Sequence, residues 1–251
     1  MACKESWCAR VDERVVSALR PIARLVAKLH PVRLEGTEHL PHGPALLVGN
    51  HGLLGYETLA FFDALLERTG RLPLGLADRW FFRVPGLRDV LVRAGGMLGT
   101  ADNARHALSR GHWVVAYPGG AREVLKRDNG SKYRLRWENS RGFARLATEL
   151  GIPVIPFAAA GVDDTYDVVT TLRGTGRLLM QHAKYDLLVL WGRGPLPRPV
   201  PFWFRIGKPI EPAAPADELH AHAWNVTQTL VDDLHREWRE RDAKPALREA
   251  A

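Results

Sequence analysis

The chain has 251 residues, of which 46% are hydrophobic and 25% charged, so we expect a globular protein rather than a disordered one. Its formal net charge of +7 indicates an anionic partner, and no lysine/arginine block accompanies a nucleic-acid-binding motif or a zinc-finger spacing. No apolar run approaches the ~20 residues that cross a bilayer, and the N-terminus does not have the pattern of a secretory signal.

The two cysteines, Cys3 and Cys8, lie close to the N-terminus, where we expect a frayed end. Thiols in that position neither frame a fold nor suit catalysis, which favours a reducing compartment. The next residues, 11–30, have the pattern of an amphipathic helix, in which Pro21 predicts a kink or a break. An arginine-rich amphipathic helix can lie in a membrane interface or dock on the protein core, and the pattern leaves both open. The expected apolar side consists of Val11, Val15, Ala18, Leu19, Ile22, Val26 and Leu29.

A short apolar run at residues 46–48 ends in Gly49-Asn50-His51-Gly52, and Glu57 follows six residues after the histidine. The run predicts a buried strand, and a helical pattern begins at Gly55. His51 would then lie on a strand-to-helix loop. Glu57 could accept a hydrogen bond from the N–H of one ring nitrogen, which leaves the other nitrogen free as a general base. The alternative is that a single His-Gly pair in a loop is only a turn.

Residues 72–77 predict another strand, followed by the aromatic run Trp80-Phe81-Phe82. These rings either pack in the core or form the wall of an acyl-chain groove or a membrane-facing lip, and three in a row cannot all point inward. Residues 95–100 predict a short strand and turn, where Thr100 or Asp102 can cap a helix that Gly111 ends.

A second chemical stretch follows the strand expected at residues 112–116. It reads Tyr117-Pro118-Gly119-Gly120-Ala121-Arg122-Glu123, so two glycines and an arginine form a turn after a strand. Free backbone N–H groups and a planar cation suit a phosphate or a developing oxyanion. Together, the two stretches favour catalysis over the simple turn interpretation.

Several further elements are expected along the rest of the chain. The strand at residues 152–157 contains prolines, so we expect it at a sheet edge or at a strand end. His220 and His222 are interpreted as surface residues of the last helix. Alternating strands and helices without a linker or repeat predict one α/β domain with a mostly parallel central sheet covered by helices. The other expected elements are a loop at 126–137 beside the site, a helix at 140–150, an irregular helix at 168–182, a strand at 187–191, a connector at 195–201, a strand at 202–206 and a helix at 217–241.

The order of these stretches resembles the glycerophospholipid acyltransferase superfamily, which includes the lysophosphatidate acyltransferases. That family carries an N-H-x-x-x-x-D block, a glycine-containing strand before a helix, an F-P-E-G-T-R block, a V-P-V-I-P strand and a G-x-P-I element. The similar blocks here are Asn50-His51 with Glu57, residues 96–103, residues 117–122, residues 152–157 and residues 207–210. The resemblance covers residues 45–210, which we expect to be the catalytic core. We expect a single domain, 1–251, in which an N-terminal amphipathic helical segment at 1–30 precedes this core and a C-terminal helix at 217–241 follows it.

Two departures from the family pattern carry information. The acid is glutamate, one position further from the histidine, and Tyr56 occupies the usual acidic position. Gly119 replaces the glutamate of the third block. Both features are more similar to the branch that forms diacylglycerol-derived and phytyl esters, so the acceptor can be a neutral glyceride, a long-chain alcohol or another lipid.

The resemblance implies an O-acyltransferase of lipid metabolism that moves a fatty acyl group from acyl-CoA or acyl carrier protein to a hydroxyl of a lysophospholipid, diacylglycerol or long-chain alcohol. His51 and Glu57 would be catalytic, with no metal or bound cofactor. The expected partners are the thioester donor, the lipid acceptor and an anionic membrane surface, without nucleic acid; the expected location is cytoplasmic, peripheral on the inner face of a membrane. The alternative is an inactive basic lipid-binding protein. The expected substrate-binding residues are Asn50, Gly52, Thr100, Asn103, Tyr117, Pro118, Gly119, Gly120 and Arg122.

Overall fold

A seven-stranded sheet forms the centre of the protein in the computed structural model, which describes residues 8–180 and 185–243. The strand order is β1-β9-β6-β2-β5-β3-β4, and every neighbouring pair is parallel except β6 and β9. The prediction of a mostly parallel α/β sheet is confirmed. The strands of this sheet are β1 (Val32–Glu35), β2 (Ala45–Gly49), β3 (Leu74–Ala77), β4 (Gly96–Leu98), β5 (Trp113–Ala116), β6 (Val154–Ala160) and β9 (Phe202–Ile206).

Helices cover both faces of this sheet, and two clusters of buried apolar side chains fill the layers between them. β2 is buried along its whole length, as a central strand between two helix layers requires. The helices are α1 (Glu13–Leu29), α2 (Glu57–Thr69), α3 (Leu87–Arg93), α4 (Ala101–Leu108), α5 (Ala121–Val124), α6 (Gly142–Leu150), α7 (Thr175–Met180) and α8 (Ala216–Trp238). In the part of the chain that the structure describes, no helix is long and apolar enough to cross a membrane.

The N-terminal helix α1 is a single helix, since Pro21 does not divide it. It docks on α2, where Arg20 forms an ion pair of 2.7 Å with Asp63. Its buried side differs from the expected one, because Ala23 is buried whereas Ile22 is exposed. The helix therefore packs on the protein and still presents apolar side chains to solvent.

Strand β6 occupies the middle of the sheet between β9 and β2, so the prediction of an edge strand or a strand end at residues 152–157 was wrong. Pro156 is tolerated there because its carbonyl accepts from the N–H of Gly207 at 2.7 Å, just beyond the end of β9. In a strand, the N–H and C=O of one residue face the same neighbour. The missing N–H of Pro156 therefore faces the end of β9 and removes no bond with β2.

The irregular helix expected at residues 168–182 is wrong for its first half, which forms strand β7 (Asp167–Leu172). Four consecutive β-branched residues, at 168–171, explain the extended backbone. β7 pairs antiparallel with β8 (Leu187–Trp191) in a separate two-stranded sheet, and α7 lies between them. Residues 181–184 of the expected helix lie outside the described residues.

The loop expected at residues 126–137 is present beside the site, interrupted by a 3-10 turn at Asn129–Ser131, and its Lys126, Tyr133 and Trp137 are buried. Two further expectations need correction. His220 is also buried, and its Nε2 lies 3.1 Å from the carbonyl of Trp137. Cys8 is buried, which disagrees with a frayed end at this position. Cys3 lies outside the described residues.

Candidate active site

The two chemical stretches meet at one edge of the sheet, because they follow adjacent parallel strands. Val48 of β2 pairs with Ala116 of β5, so both loops leave the carboxyl ends of their strands side by side. This edge is where open α/β sheets usually bind ligands. The ring of His51 stacks on the ring of Tyr117, with centroids 3.8 Å apart. The structure therefore brings the expected histidine loop and the glycine–arginine turn together.

His51 and Glu57 form a hydrogen-bonded pair. Nδ1 of His51 lies 2.6 Å from Oε1 of Glu57, and the same oxygen accepts the N–H of Gly52 at 2.9 Å. Glu57 is the first residue of α2, so the helix start points its carboxylate back at the loop. If Nδ1–H donates to the carboxylate, the tautomer leaves Nε2 unprotonated.

The environment of Glu57 keeps this carboxyl group ionised. Burial opposes ionisation, but the neighbouring charge and hydrogen bond of His51 and the N–H of Gly52 outweigh it and lower the pKa of Glu57. Its other oxygen, Oε2, is buried and has no hydrogen-bond partner among the residues that the structure describes. The negative charge is therefore directed at His51.

The side chain of His51 lines a cavity of about 670 Å³, here called the His51 cavity. Among the described residues, Nε2 has no hydrogen-bond partner. The cavity wall is mainly apolar, and its volume lies in the range of about 300–1,000 Å³ that is common for small-molecule sites. Its apolar lining includes Leu19, Leu54, Phe62, Leu66, Leu188 and Leu190.

A buried charged network fixes the backbone of the His51 loop. Glu123 accepts the N–H of His51 at 2.8 Å and that of Arg136 at 2.8 Å. Lys126 donates to the carbonyl of His51 at 2.7 Å and forms a buried ion pair of 3.0 Å with Asp163. Our sequence reasoning missed these three charged residues as parts of the site. The available signal was an acid and a lysine three residues apart directly after the Gly119-Gly120 turn.

Gly119 makes space for this network. A Cβ atom at Gly119 would lie 2.2 Å from Cδ of Glu123, which is far too close. Burial raises the pKa of Glu123, although Lys126 and the two N–H donors oppose the shift. The glycine that departs from the family pattern is therefore required by the position of the Glu123 side chain.

The remaining expected site residues of the first two blocks have structural contacts. Asn50 is buried, and its amide exchanges two hydrogen bonds with the backbone of Ala159 on β6, at 2.8 and 3.0 Å. Thr100 accepts the N–H of Asn103 and so begins α4, while the side chain of Asn103 donates to the carbonyl of Leu98. Asn50 and Asn103 thus hold backbone in place, and Thr100 lines a second cavity.

The residues of the glycine–arginine turn do not all lie at the same place in the site. Tyr117 and Gly120 line the His51 cavity, whereas Pro118 lines the second cavity. Arg122 lines neither of them, since its guanidinium donates to Ser140 at 3.0 Å and lies 3.9 Å from the carboxylate of Glu138. The structure therefore does not place Arg122 beside His51. Within the described residues, no group of three or more His, Cys, Asp or Glu side chains could hold a metal ion.

The fold is similar to that of a solved lipid acyltransferase. The 1-acyl-sn-glycerophosphate acyltransferase PlsC from Thermotoga maritima superposes with a TM-score of 0.56 at 16% sequence identity, over 92% of this chain and 85% of that one. At this identity, the likeness shows the fold alone. The superposition shows that this chain has the same α/β fold as that acyltransferase.

Comparison of the sequence with protein families establishes the family of this chain. The family model described as diacylglycerol acyltransferase matches residues 11–244, and the chain belongs to this family. A chicken (Gallus gallus) protein named as a DGAT1/2-independent enzyme synthesizing storage lipids is 33% identical over 206 residues, which is 80% of this chain and 59% of that protein. The chloroplastic phytyl ester synthase 2 of Arabidopsis thaliana is 30% identical over 211 residues, 72% of this chain and 30% of its own. The chain thus spans about three fifths of the length of the storage-lipid enzyme.

Proposed function

We propose that this protein transfers a fatty acyl group from a thioester of CoA or of acyl carrier protein to the hydroxyl of a lipid. The observation that carries the proposal is the position of His51, whose Nδ1 is hydrogen-bonded to a buried carboxylate and whose ring lines a mostly apolar cavity. A general base beside an apolar cavity suits an acceptor and a donor that both carry hydrocarbon chains.

The reaction would proceed in one displacement. Nε2 of His51 takes the proton of the acceptor hydroxyl as its oxygen attacks the thioester carbonyl carbon. The tetrahedral oxyanion then collapses, the carbon–sulfur bond breaks, and the proton passes from Nε2 to the departing thiolate. The products are an ester and a free thiol. Glu57 stabilises the imidazolium that forms between the two proton transfers.

Backbone N–H groups of the turn are candidates to stabilise the oxyanion. The N–H of Gly120, one of the expected donors, is bonded to the carbonyl of Tyr117 at 2.9 Å. In the described part of the chain, the N–H groups of Gly119 and Ala121 have no hydrogen-bond acceptor. Ala121 lines the His51 cavity, and we assign the oxyanion contact to its N–H.

The charges of the His51 cavity favour a neutral acceptor. Arg20 is the one Lys or Arg in the described part of its lining, and that guanidinium is paired with Asp63 and Glu67. A phosphomonoester on the acceptor would therefore meet no free cation within the described lining. We accordingly propose diacylglycerol or a long-chain alcohol as the acceptor in preference to a lysophospholipid.

The mouth of the His51 cavity would face an anionic membrane. Several lining side chains are exposed, including Leu59, Phe81 and Leu187, so they form an apolar rim. On β8, Leu188 and Leu190 line the cavity, while Trp191 projects into solvent. An apolar rim on a protein of net charge +7 suits peripheral binding to anionic lipid, on the cytoplasmic face of the membrane.

An acyl-transfer assay tests the function. Purified protein is incubated with radiolabelled acyl-CoA and a panel of diacylglycerol, hexadecanol and lysophosphatidate, and the released thiol is measured in parallel. We expect labelled neutral ester with equal thiol release, and a loss of about 10²-fold or more in His51→Ala with unchanged unfolding. Wild-type activity in His51→Ala would refute the mechanism, whereas vesicle binding without thioester consumption would select the inactive lipid-binding protein.

A sedimentation assay tests the membrane proposal. We expect the wild-type protein to pellet with vesicles containing phosphatidylserine and to remain in the supernatant with phosphatidylcholine alone. The double variant Phe81→Ser, Trp191→Ser should pellet less, with Leu25→Ser on α1 as the comparison because Leu25 is exposed and lies outside the cavity lining. Equal pelleting of the wild type and the double variant would exclude the rim as the contact surface.

A further inference from the structure

A second cavity of about 610 Å³ lies next to the His51 cavity, and it is here called the Arg79 cavity. The two cavities share Tyr117 and Gly120, together with Asp78 and Trp80. Because Tyr117 stacks directly on His51, this shared wall lies beside the proposed reaction centre. A molecule that reacts at His51 can therefore extend into either cavity.

The Arg79 cavity differs from the His51 cavity in its charges. Its lining contains Arg79 and Arg83, which lie four residues apart in a short 3-10 segment. Both are exposed, and among the described residues neither forms an ion pair. Asp78 also lines the cavity, but its Oδ1 accepts the N–H of Trp80 and the hydroxyl of Tyr185. The cavity therefore offers two guanidinium groups to an anion.

The rest of the Arg79 cavity suits a partly polar chain. Thr100 contributes a hydroxyl group, and Leu98, Phe143 and Leu146 contribute apolar surface. Arg122, which the sequence suggested for gripping a phosphate, lines neither cavity. In the described lining of the two cavities, the unpaired guanidinium groups are thus those of Arg79 and Arg83, whereas the acceptor is proposed to occupy the His51 cavity.

The proposed reaction requires such an anionic group. Acyl-CoA and acyl carrier protein both present the acyl group on a pantetheine arm that carries a phosphate at its far end. With the acyl chain in the apolar His51 cavity, the thioester carbon must lie near the shared wall. The arm must then leave on the other side of that wall. We propose that the Arg79 cavity binds the phosphorylated pantetheine arm of the donor, and that Arg79 and Arg83 contact its phosphate.

This inference rests on the proposed function, and a comparison of two donors tests it. Decanoyl-CoA carries the phosphorylated arm, whereas the decanoyl thioester of N-acetylcysteamine carries only the thiol end without any phosphate. In the double variant Arg79→Gln, Arg83→Gln, we expect KM for decanoyl-CoA to rise about tenfold or more, while kcat stays close to the wild-type value. Kinetics with the N-acetylcysteamine thioester should be unchanged. Higher salt should raise the wild-type KM for decanoyl-CoA, because exposed charges are screened.

The matched control is Arg88→Gln, since Arg88 is near in sequence, pairs with Asp89 and does not line the cavity. Thermal unfolding of all variants checks that the replacements leave the fold intact. Equal losses on both donors, or the same rise in KM in Arg88→Gln, would overturn the assignment. If the wild-type protein transfers from neither donor, the proposed function fails; if it transfers from both and the double variant keeps its KM for decanoyl-CoA, only the assignment of the Arg79 cavity fails.

Discussion

Replacing Gly119 with alanine tests whether the buried network beneath the histidine loop determines both stability and activity. The new Cβ atom would lie 2.2 Å from Cδ of Glu123, so the glutamate side chain must move. Such overpacking typically costs about 1–3 kcal/mol. Moving the carboxylate also breaks its hydrogen bonds to the N–H groups of His51 and Arg136, each worth about 0.5–3 kcal/mol depending on the charge of the acceptor. We expect the free energy of unfolding to fall by at least about 2 kcal/mol.

The assay is urea unfolding followed by circular dichroism, together with acyl transfer under native conditions. The matched control is Gly43→Ala before β2, where an added Cβ meets no atom within 4 Å and which lines neither cavity. We expect that control to change stability by less than about 1 kcal/mol and to retain activity.

A third variant separates the steric clash from other effects. Glu123→Ala removes the side chain that Gly119→Ala would strike, so the double variant should be no less stable than Glu123→Ala alone. Strictly additive losses would refute the clash as the cause. A Gly119→Ala protein as stable and active as Gly43→Ala would refute the role of the network altogether.

Three further predictions concern charged groups. Glu57→Gln should lower kcat by about 10²-fold or more with little change in KM, because His51 loses the anion that stabilises its protonated ring. A rise in KM with unchanged kcat, measured by steady-state kinetics, would contradict this. Lys126→Met should cost about 3–5 kcal/mol in urea unfolding, since it leaves the buried carboxylate of Asp163 without its cation. Burial lowers the pKa of His235 from 6.5 in the unfolded chain to about 4 in the folded protein. Between pH 6.5 and 4 the imidazole is therefore protonated in the unfolded chain but neutral in the folded one. Wild-type stability should consequently fall as the pH drops through this range. In His235→Phe that part of the pH dependence, at most about 3 kcal/mol, should disappear from unfolding curves measured across the same range.

The part of the site that the sequence predicts is the part formed by local chain geometry. A buried strand, a glycine-bounded loop and a helix start bring His51 and Glu57 to 2.6 Å, and these elements follow from hydrophobic patterning over a dozen residues. Parallel strands with similar loops also predict that the turn after β5 lies beside the histidine. The catalytic and binding roles of these residues stay predictions until activity is measured.

The elements that were wrong depend on pairing between distant segments. β-branched residues at 168–171 become a strand because β8 pairs with them, and the pattern of one segment does not contain its partner. Pro156 in a central strand is acceptable only because β9 ends opposite it, at Gly207. The two prolines alone indicate an edge, and only the register of the neighbouring strand shows that no hydrogen bond is lost.

The buried network shows why charged residues at such a site are hard to assign from sequence. Lys126, in a stretch rich in charges, looks like a surface residue, yet it is 3% exposed and contacts Asp163, which lies 37 residues further along the chain. A buried charge is tolerated only when it is paired, so each of these residues requires the other. Because Lys126 also donates to the carbonyl of His51, the pair ties the histidine loop to the end of β6. The catalytic geometry proposed here thus depends on an ion pair whose members carry no catalytic signature in the sequence.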